Sequence, residues 1–261
     1  MGIEGLITTK MQGYGGGRGR PEDLIFLTEK GATLLMDEGI LSGHAAWPKN
    51  QAENSFSLDH LLPVNWFRIH LLQIERAIPQ LSVHYLSPDS QPSGGDSILL
   101  SERIPADPRP EKFVEFIPDG VFSITNNEME KKTLLFFLEV DMGTETLASM
   151  DRDPKDIRQK ILNYQSLFRN GLYKKYEPVF KSKLNGFRLL FLANSDARLI
   201  SLCRLIREMP PSDFIWSTDQ GKMFSRGLAA KIWVRGGRND APPQSILGPS
   251  LACELPGIDK K

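Results

Sequence analysis

The stretch LLFFLEVDMGTE, residues 134–145, has the pattern of a buried β-strand that ends in two carboxylates. An uninterrupted apolar run bounded by polar residues is typical of a strand inside a sheet. Glu139 and Asp141 follow this run directly, and because side chains alternate along a strand, both lie on the same face. Buried charges need a partner of opposite sign. We therefore expect this strand to lie at the centre of the fold and to end in a polar site.

A third carboxylate is predicted at the same place. The β-rich run KFVEFIPDGVFSIT, residues 112–125, precedes the strand and is separated from it by the polar segment NNEMEKK. If the two runs pair antiparallel with Thr125 opposite Thr133, Asp119 lies opposite Glu139. Any shift of even register keeps Asp119 on the face shared by Glu139 and Asp141.

Two interpretations of these carboxylates remain open from the residues alone. At an effective dielectric of about 20, two carboxylates about 4 Å apart repel by about 4 kcal/mol. A hard divalent cation such as Mg²⁺ or Mn²⁺ would offset this repulsion and could activate a phosphodiester. Alternatively, Asp119 belongs to a Pro-Asp-Gly turn, and the other two carboxylates mark an exposed strand end.

The segment after the acidic strand predicts a helix that bears Lys160 and Tyr164 four residues apart. Residues at this spacing lie on one helix face, so both side chains can point at the end of the acidic strand. A lysine there would stabilise negative charge. The alternative is a solvated lysine beside a core tyrosine.

Composition indicates an ordinary globular protein. The 261 residues carry zero net formal charge, so any nucleic-acid surface must be a local patch. Cys203 and Cys253 allow neither a disulfide framework nor a thiolate zinc site, which favours a reducing compartment. No signal peptide and no apolar run of about 20 residues is seen, so we expect a cytoplasmic protein without a membrane span.

Periodicity predicts an α/β fold with a mixed sheet. Two strands around a Gly/Arg loop and a helix from Thr28 come first, followed by a linker over residues 41–57. The order is then helix, strand, strand, strand, helix, strand, helix. Residues 87–112, rich in Pro, Ser and Gly, are predicted to be mobile.

The motifs IPDG, FLEVD and KILNY resemble the PD-(D/E)XK nuclease-like superfamily, and more closely the replication-relaxation family of plasmid and mobile-element proteins. The resemblance implies a restriction-endonuclease-like core with a mixed sheet flanked by helices. On this basis we expect a partial winged helix (1–40), a linker (41–57), a nuclease-like domain (58–235) and a disordered tail (236–261). Because so little precedes the hairpin, the recognition helix of the winged helix is expected to be missing.

The resemblance also implies roles for the site residues. Asp119, Glu139 and Asp141 would bind Mg²⁺ or Mn²⁺ for phosphodiester hydrolysis, with Lys160 as the catalytic cation. Tyr164 and His60 would support them, since His60 matches a family histidine at the head of the first helix. Asp141 stands where the superfamily usually has a lysine, which favours the alternative of a non-catalytic accessory.

The implied partners are DNA and a relaxase or replication protein, with a homodimer left open. Arg18 and Arg20 in the glycine loop, and Lys155 and Arg158 near the acidic strand, are predicted to contact phosphates. The basic stretch that runs to Arg188 is expected to lie next to the carboxylates. Lysines that merely confer solubility and a flexible loop are the alternatives.

Overall fold

The computed structural model describes residues 5–11, 23–38, 55–86, 101–105, 113–128, 132–148 and 156–255. The chain forms two compact units. One contains residues 1–57 and 89–98, and the other contains residues 58–88 and 99–261. Within the described ranges, no helix is both long and apolar enough to cross a bilayer.

The first unit has the predicted pair of strands and the predicted helix. Strands β1 (Ile7–Met11) and β2 (Asp23–Leu27) pair antiparallel, and helix α1 (Glu29–Asp37) follows. The Thr28 side chain accepts a hydrogen bond from the Gly31 N–H, as expected of an N-cap residue. Arg18 and Arg20 lie outside the described residues, so their predicted DNA contacts stay predictions.

The second unit is built on a six-stranded mixed sheet with helices on both faces. The strands in chain order are β3 (Leu81–Leu86), β6 (Gly120–Asn126), β7 (Lys132–Asp141), β8 (Phe187–Ala193), β9 (Ile215–Asp219) and β10 (Val234–Arg235). In space the order is β10-β9-β8-β7-β6-β3, with β7, β8 and β9 mutually parallel and the other pairs antiparallel. The predicted α/β class with a mixed sheet is confirmed.

The helices and a second, smaller sheet complete this unit. The helices are α2 (Ser55–Ala77), α3 (Ile157–Arg169), a 3-10 helix (Leu172–Tyr176), α4 (Glu177–Phe180), α5 (Asp196–Arg207) and α6 (Gln220–Arg226). The smaller sheet consists of β4 (Glu102–Pro105) and β5 (Phe113–Phe116), which pair antiparallel.

Strand β7 lies at the centre of the sheet, as its apolar run predicts. Phe136 points into the layer beneath α2, while Phe137 points into the layer beneath α3, and both are fully buried. Burying each such side chain contributes about 1.5–3 kcal/mol. The predicted register is confirmed, because Thr125 pairs with Thr133 and Gly120 pairs with Leu138.

Two segments differ from the sequence-based expectation. The region expected to be mobile contains β4, whereas residues 87–100 and 106–112 lie outside the described part. The tail expected to be disordered is packed over residues 236–255, where Ile246 is fully buried and Gln244 pairs with Trp233. Its Pro and Gly content suggested disorder, but its apolar side chains cover the sheet.

Candidate carboxylate-lysine site

Asp119 is fixed at the end of the β6–β7 pair, directly before β6. Its N–H donates to the Leu138 carbonyl at 3.1 Å, which extends the ladder by one residue. Its Oδ2 accepts from the Val140 N–H at 2.6 Å and lies 3.2 Å from His60 Nε2. The following Gly120 leaves room for Tyr85, since a Cβ there would lie 2.5 Å from the Tyr85 hydroxyl. The turn therefore holds the carboxylate against β7.

Glu139 is buried at the same place and is held by α3. Tyr164 O–H donates to Oε1 at 2.6 Å, and Lys160 Nζ donates to Oε2 at 3.0 Å. The four-residue spacing brings both donors to one helix face, as predicted. Lys160 Nζ also lies 2.9 Å from Glu145 Oε1.

The described part of helix α3 begins at Ile157. Asp153 and Pro154, which have the pattern of an N-cap and a first helical residue, lie outside the described residues. Asp156 is the N-cap, with its Oδ1 accepting from the Gln159 N–H at 2.7 Å. Either start leaves Lys160 in the first turns of the helix, facing the acidic strand.

Burial and neighbouring charges shift the acid-base properties of the site. Burial raises the pKa of Glu139 to about 7, and the Asp119 charge adds to this against the opposing effect of Lys160. Burial opposes the charge of Lys160, but the Glu139 and Glu145 carboxylates outweigh it and raise its pKa. Glu139 therefore gains and loses its proton near neutral pH, whereas Lys160 stays protonated.

The pKa values of the two supporting residues, Tyr164 and His60, are also shifted. Burial, followed by the charge of Glu139, raises the pKa of Tyr164 well above its ordinary value, so its hydroxyl remains a donor. The hydrogen bond to Asp119 raises the pKa of His60, against the opposing effect of burial. A protonated His60 thus becomes an ion-pair partner of Asp119 as the pH falls.

Asp141 shares the face of Glu139 but has a different partner. Arg198 binds it with two hydrogen bonds, from Nε to Oδ2 at 2.6 Å and from Nη2 to Oδ1 at 3.1 Å. The Gly143 N–H donates to Oδ1 at 2.9 Å, and Arg198 Nη2 donates to the Glu145 carbonyl at 2.6 Å. The Asp141 charge is therefore offset by Arg198 rather than by Lys160.

Sequence reasoning missed Arg198. It lies in the first turns of α5, directly after β8, and β8 ends with Ala193 beside Asp141. Its position follows only from the parallel pairing of β7 and β8, which brings the start of the following helix to the carboxyl end of β7.

The structure thus brings together Asp119, Glu139, Lys160, Tyr164 and His60. In the ranges that the structure describes, no group of three or more His, Cys, Asp or Glu side chains is placed to hold a metal ion. The predicted three-carboxylate metal site therefore stays a prediction. Two carboxylates with a nearby backbone carbonyl are still oxygen donors of the kind that Mg²⁺ and Mn²⁺ take. Glu145 Oε2, which is buried without a hydrogen-bond partner, shows unused acceptor capacity beside them.

The predicted DNA contacts are only partly described. Arg158 is exposed in the first turn of α3, while Lys155 lies outside the described residues. The basic stretch does not lie wholly beside the carboxylates. Lys183 and Arg188 come just before and within the start of β8, at the opposite end of the sheet, because β8 starts beside Leu135 and ends beside Asp141.

Comparison with known proteins places the chain in a family. A family model described as replication-relaxation matches residues 3–182 of this chain. No curated protein matches the chain, and no solved structure matches it. The matched residues include β1, β2, the β6–β7 pair, α3 and all five residues of the carboxylate-lysine site.

Proposed function

Since this chain belongs to the replication-relaxation family, we propose that it acts on DNA during the replication, relaxation or transfer of a plasmid or mobile element. The proposed reaction is hydrolysis of a phosphodiester bond with Mg²⁺ or Mn²⁺. The observation that carries it is the lysine ammonium of Lys160 at 3.0 Å from Glu139, next to Asp119. Two carboxylates and a cation at one strand end are suited to phosphoryl chemistry.

The fold supports this proposal. An antiparallel β6–β7 pair continued by the parallel strands β8 and β9, with helices on both faces, agrees with a restriction-endonuclease-like core. The pair β1–β2 followed by α1 agrees with the wing of a winged helix and the helix after it. Both were expected from the resemblance of the motifs.

Each residue of the site has a chemical task in the proposed reaction. The carboxylates of Asp119 and Glu139, with the Val140 carbonyl, would hold the cation. A bound divalent cation polarises a phosphodiester and lowers the pKa of a bound water. Lys160 remains protonated and offsets the charge of the reacting phosphate. Tyr164 orients Glu139 through its 2.6 Å hydrogen bond.

His60 performs a similar orienting task for Asp119. Its Nε2 lies 3.2 Å from Asp119 Oδ2, which also receives the Val140 N–H. These two contacts use one oxygen of the carboxylate and fix its direction. The other oxygen, Oδ1, is the donor that Asp119 would offer to a cation.

A cleavage assay tests the proposal. Supercoiled and linear DNA are incubated with the wild type, an Asp119→Ala, Glu139→Ala double variant and a Glu208→Gln variant, each with Mg²⁺ or Mn²⁺. Glu208 is exposed beyond α5 and serves as the control. We expect cleavage by the wild type and the control alone. Equal cleavage by the double variant would overturn the assignment.

A second candidate function follows from the Asp141–Arg198 pair. Asp141 stands where the superfamily usually has a lysine, and Arg198 holds it in a two-bond ion pair. A protein with this arrangement would bind DNA or a relaxase-type partner without cutting. The same assay separates the candidates, because this one predicts a wild type that shifts DNA in a gel and leaves it intact with either cation.

A further inference from the structure

A groove of about 830 Å³ lies at the end of the sheet where strands β7 and β8 begin. Glu139 and Asp141 lie at the opposite end of these strands, because the two strands run parallel. The volume is within the range of small-molecule sites. The side chains that matter for its chemistry are Lys132, Phe168, Lys183, Arg188, Phe214 and Arg235.

The groove is cationic although the whole chain has zero net formal charge. Among the described residues that line it, four are basic, and Asp213 is the only carboxylate. Asp213 is already engaged, at 2.7 Å by Arg238 and at 3.8 Å by Arg235. Lys132 and Lys183 are exposed. An anion that enters the groove therefore meets a surplus of positive charge.

Arg188 is a partly buried cation in this groove. Over the described ranges of the chain, no carboxylate lies within ion-pair distance of its guanidinium. It donates to the Ile246 carbonyl and lies 4.6 Å from the centre of the Trp216 ring. Arg235 lies 5.9 Å from the same ring. Burial, with the Arg235 charge added, lowers the pKa of Arg188.

Two half-buried arginines that share one ring repel each other, and water screens them less than it screens exposed charges. A phosphate group at either guanidinium would relieve this repulsion, since guanidinium groups match phosphate oxygens in geometry and charge.

An aromatic surface lines the same groove. Phe168 is 38% exposed and stacks on Phe214, with ring centres 5.3 Å apart and planes at 28°. Exposed aromatic rings beside a cationic groove are typical of sites that bind single-stranded nucleic acid, in which bases stack and phosphates meet cations.

We propose that this groove is a second nucleic-acid site that binds a single strand across the ends of β7 and β8, with phosphates at Arg188 and Arg235 on the α2 side of the sheet and a base against Phe168 on the α3 side. The site goes beyond the proposed hydrolysis, because it requires neither a metal ion nor the carboxylates.

The test is fluorescence anisotropy with the full chain and a labelled oligothymidine of twelve nucleotides, in EDTA. Arg235→Gln should weaken binding about tenfold, because it removes charge-assisted hydrogen bonds to phosphate. Phe168→Leu should weaken it about fivefold through lost base stacking. Arg204→Gln makes the same charge change on an exposed arginine of α5 outside the groove and should change affinity less than about twofold.

Thermal unfolding verifies that each variant is folded, and Arg235 is suited to the test because its side chain is 41% exposed. Displacement of the oligonucleotide by unlabelled oligothymidine, but not by thymidine monophosphate at the same nucleotide concentration, supports a strand that spans both sides of the sheet, whereas equal displacement by the monophosphate would contradict it. The inference would be overturned if Arg235→Gln and Arg204→Gln changed the affinity for the oligonucleotide equally, or if neither variant changed it. Because EDTA removes the cation that cleavage needs, this assay and the cleavage assay fail independently.

Discussion

Glu139→Gln should remove a loss of stability that the wild type undergoes as the pH rises. Burial, with the Asp119 charge added, raises the pKa of Glu139 from 4.5 to about 7. The folded protein therefore holds this proton more tightly than the unfolded chain does. Its contribution to stability is present below pH 4.5 and is lost as the pH rises through about 7. At about 1.4 kcal/mol per pKa unit, the full loss is about 3 kcal/mol.

Urea unfolding at pH 5, 6, 7 and 8 measures this loss. The free energy of unfolding of the wild type should fall by about 2–3 kcal/mol more than that of the variant between pH 5 and pH 8. Taking the difference between the two proteins removes most of the contribution of the histidines. Glu208→Gln, which changes an exposed carboxylate, should keep the wild-type slope. Parallel curves for the wild type and Glu139→Gln would refute a Glu139 that titrates near neutral pH.

Three further variants test contacts elsewhere in the second unit by chemical or thermal unfolding. Arg198→Met should cost about 3–5 kcal/mol, because Asp141 would be left buried without a cation; a cost below about 1 kcal/mol would contradict the pair. Tyr176→Phe should cost about 1–3 kcal/mol, because buried Glu102 loses an O–H donor at 2.6 Å, and an unchanged Tm would count against it. Ile246→Ala should cost about 2–5 kcal/mol if the tail belongs to the core, whereas a neutral effect would mean that it does not.

The local parts of the site could be predicted from the sequence. The register of β6 and β7 follows from side-chain alternation and from the short polar segment between the strands, so Asp119 could be placed beside Glu139. The spacing of Lys160 and Tyr164 depends only on helical geometry, and both residues contact Glu139. Each of these inferences required only the geometry of one strand pair or of one helix.

The remaining contacts depend on distant parts of the chain. Arg198 reaches Asp141 only because β8 lies parallel beside β7, and the sequence around either residue does not predict that pairing. Ile246 is buried by surfaces that β8, β9 and the end of the chain build together, including its carbonyl contact with Arg188. Composition around Ile246 indicates only a loop, because tertiary packing can override a local Pro and Gly bias.

Calorimetric titration of Mn²⁺ tests the central claim most directly, since cation binding by Asp119 and Glu139 precedes any cleavage. The wild type and Glu208→Gln should each show saturable binding heat. Asp119→Asn should weaken the binding at least about tenfold, because it removes one of two charged ligands. Saturable heat that depends on Asp119 is the predicted result, and a wild type without saturable heat would contradict the claim.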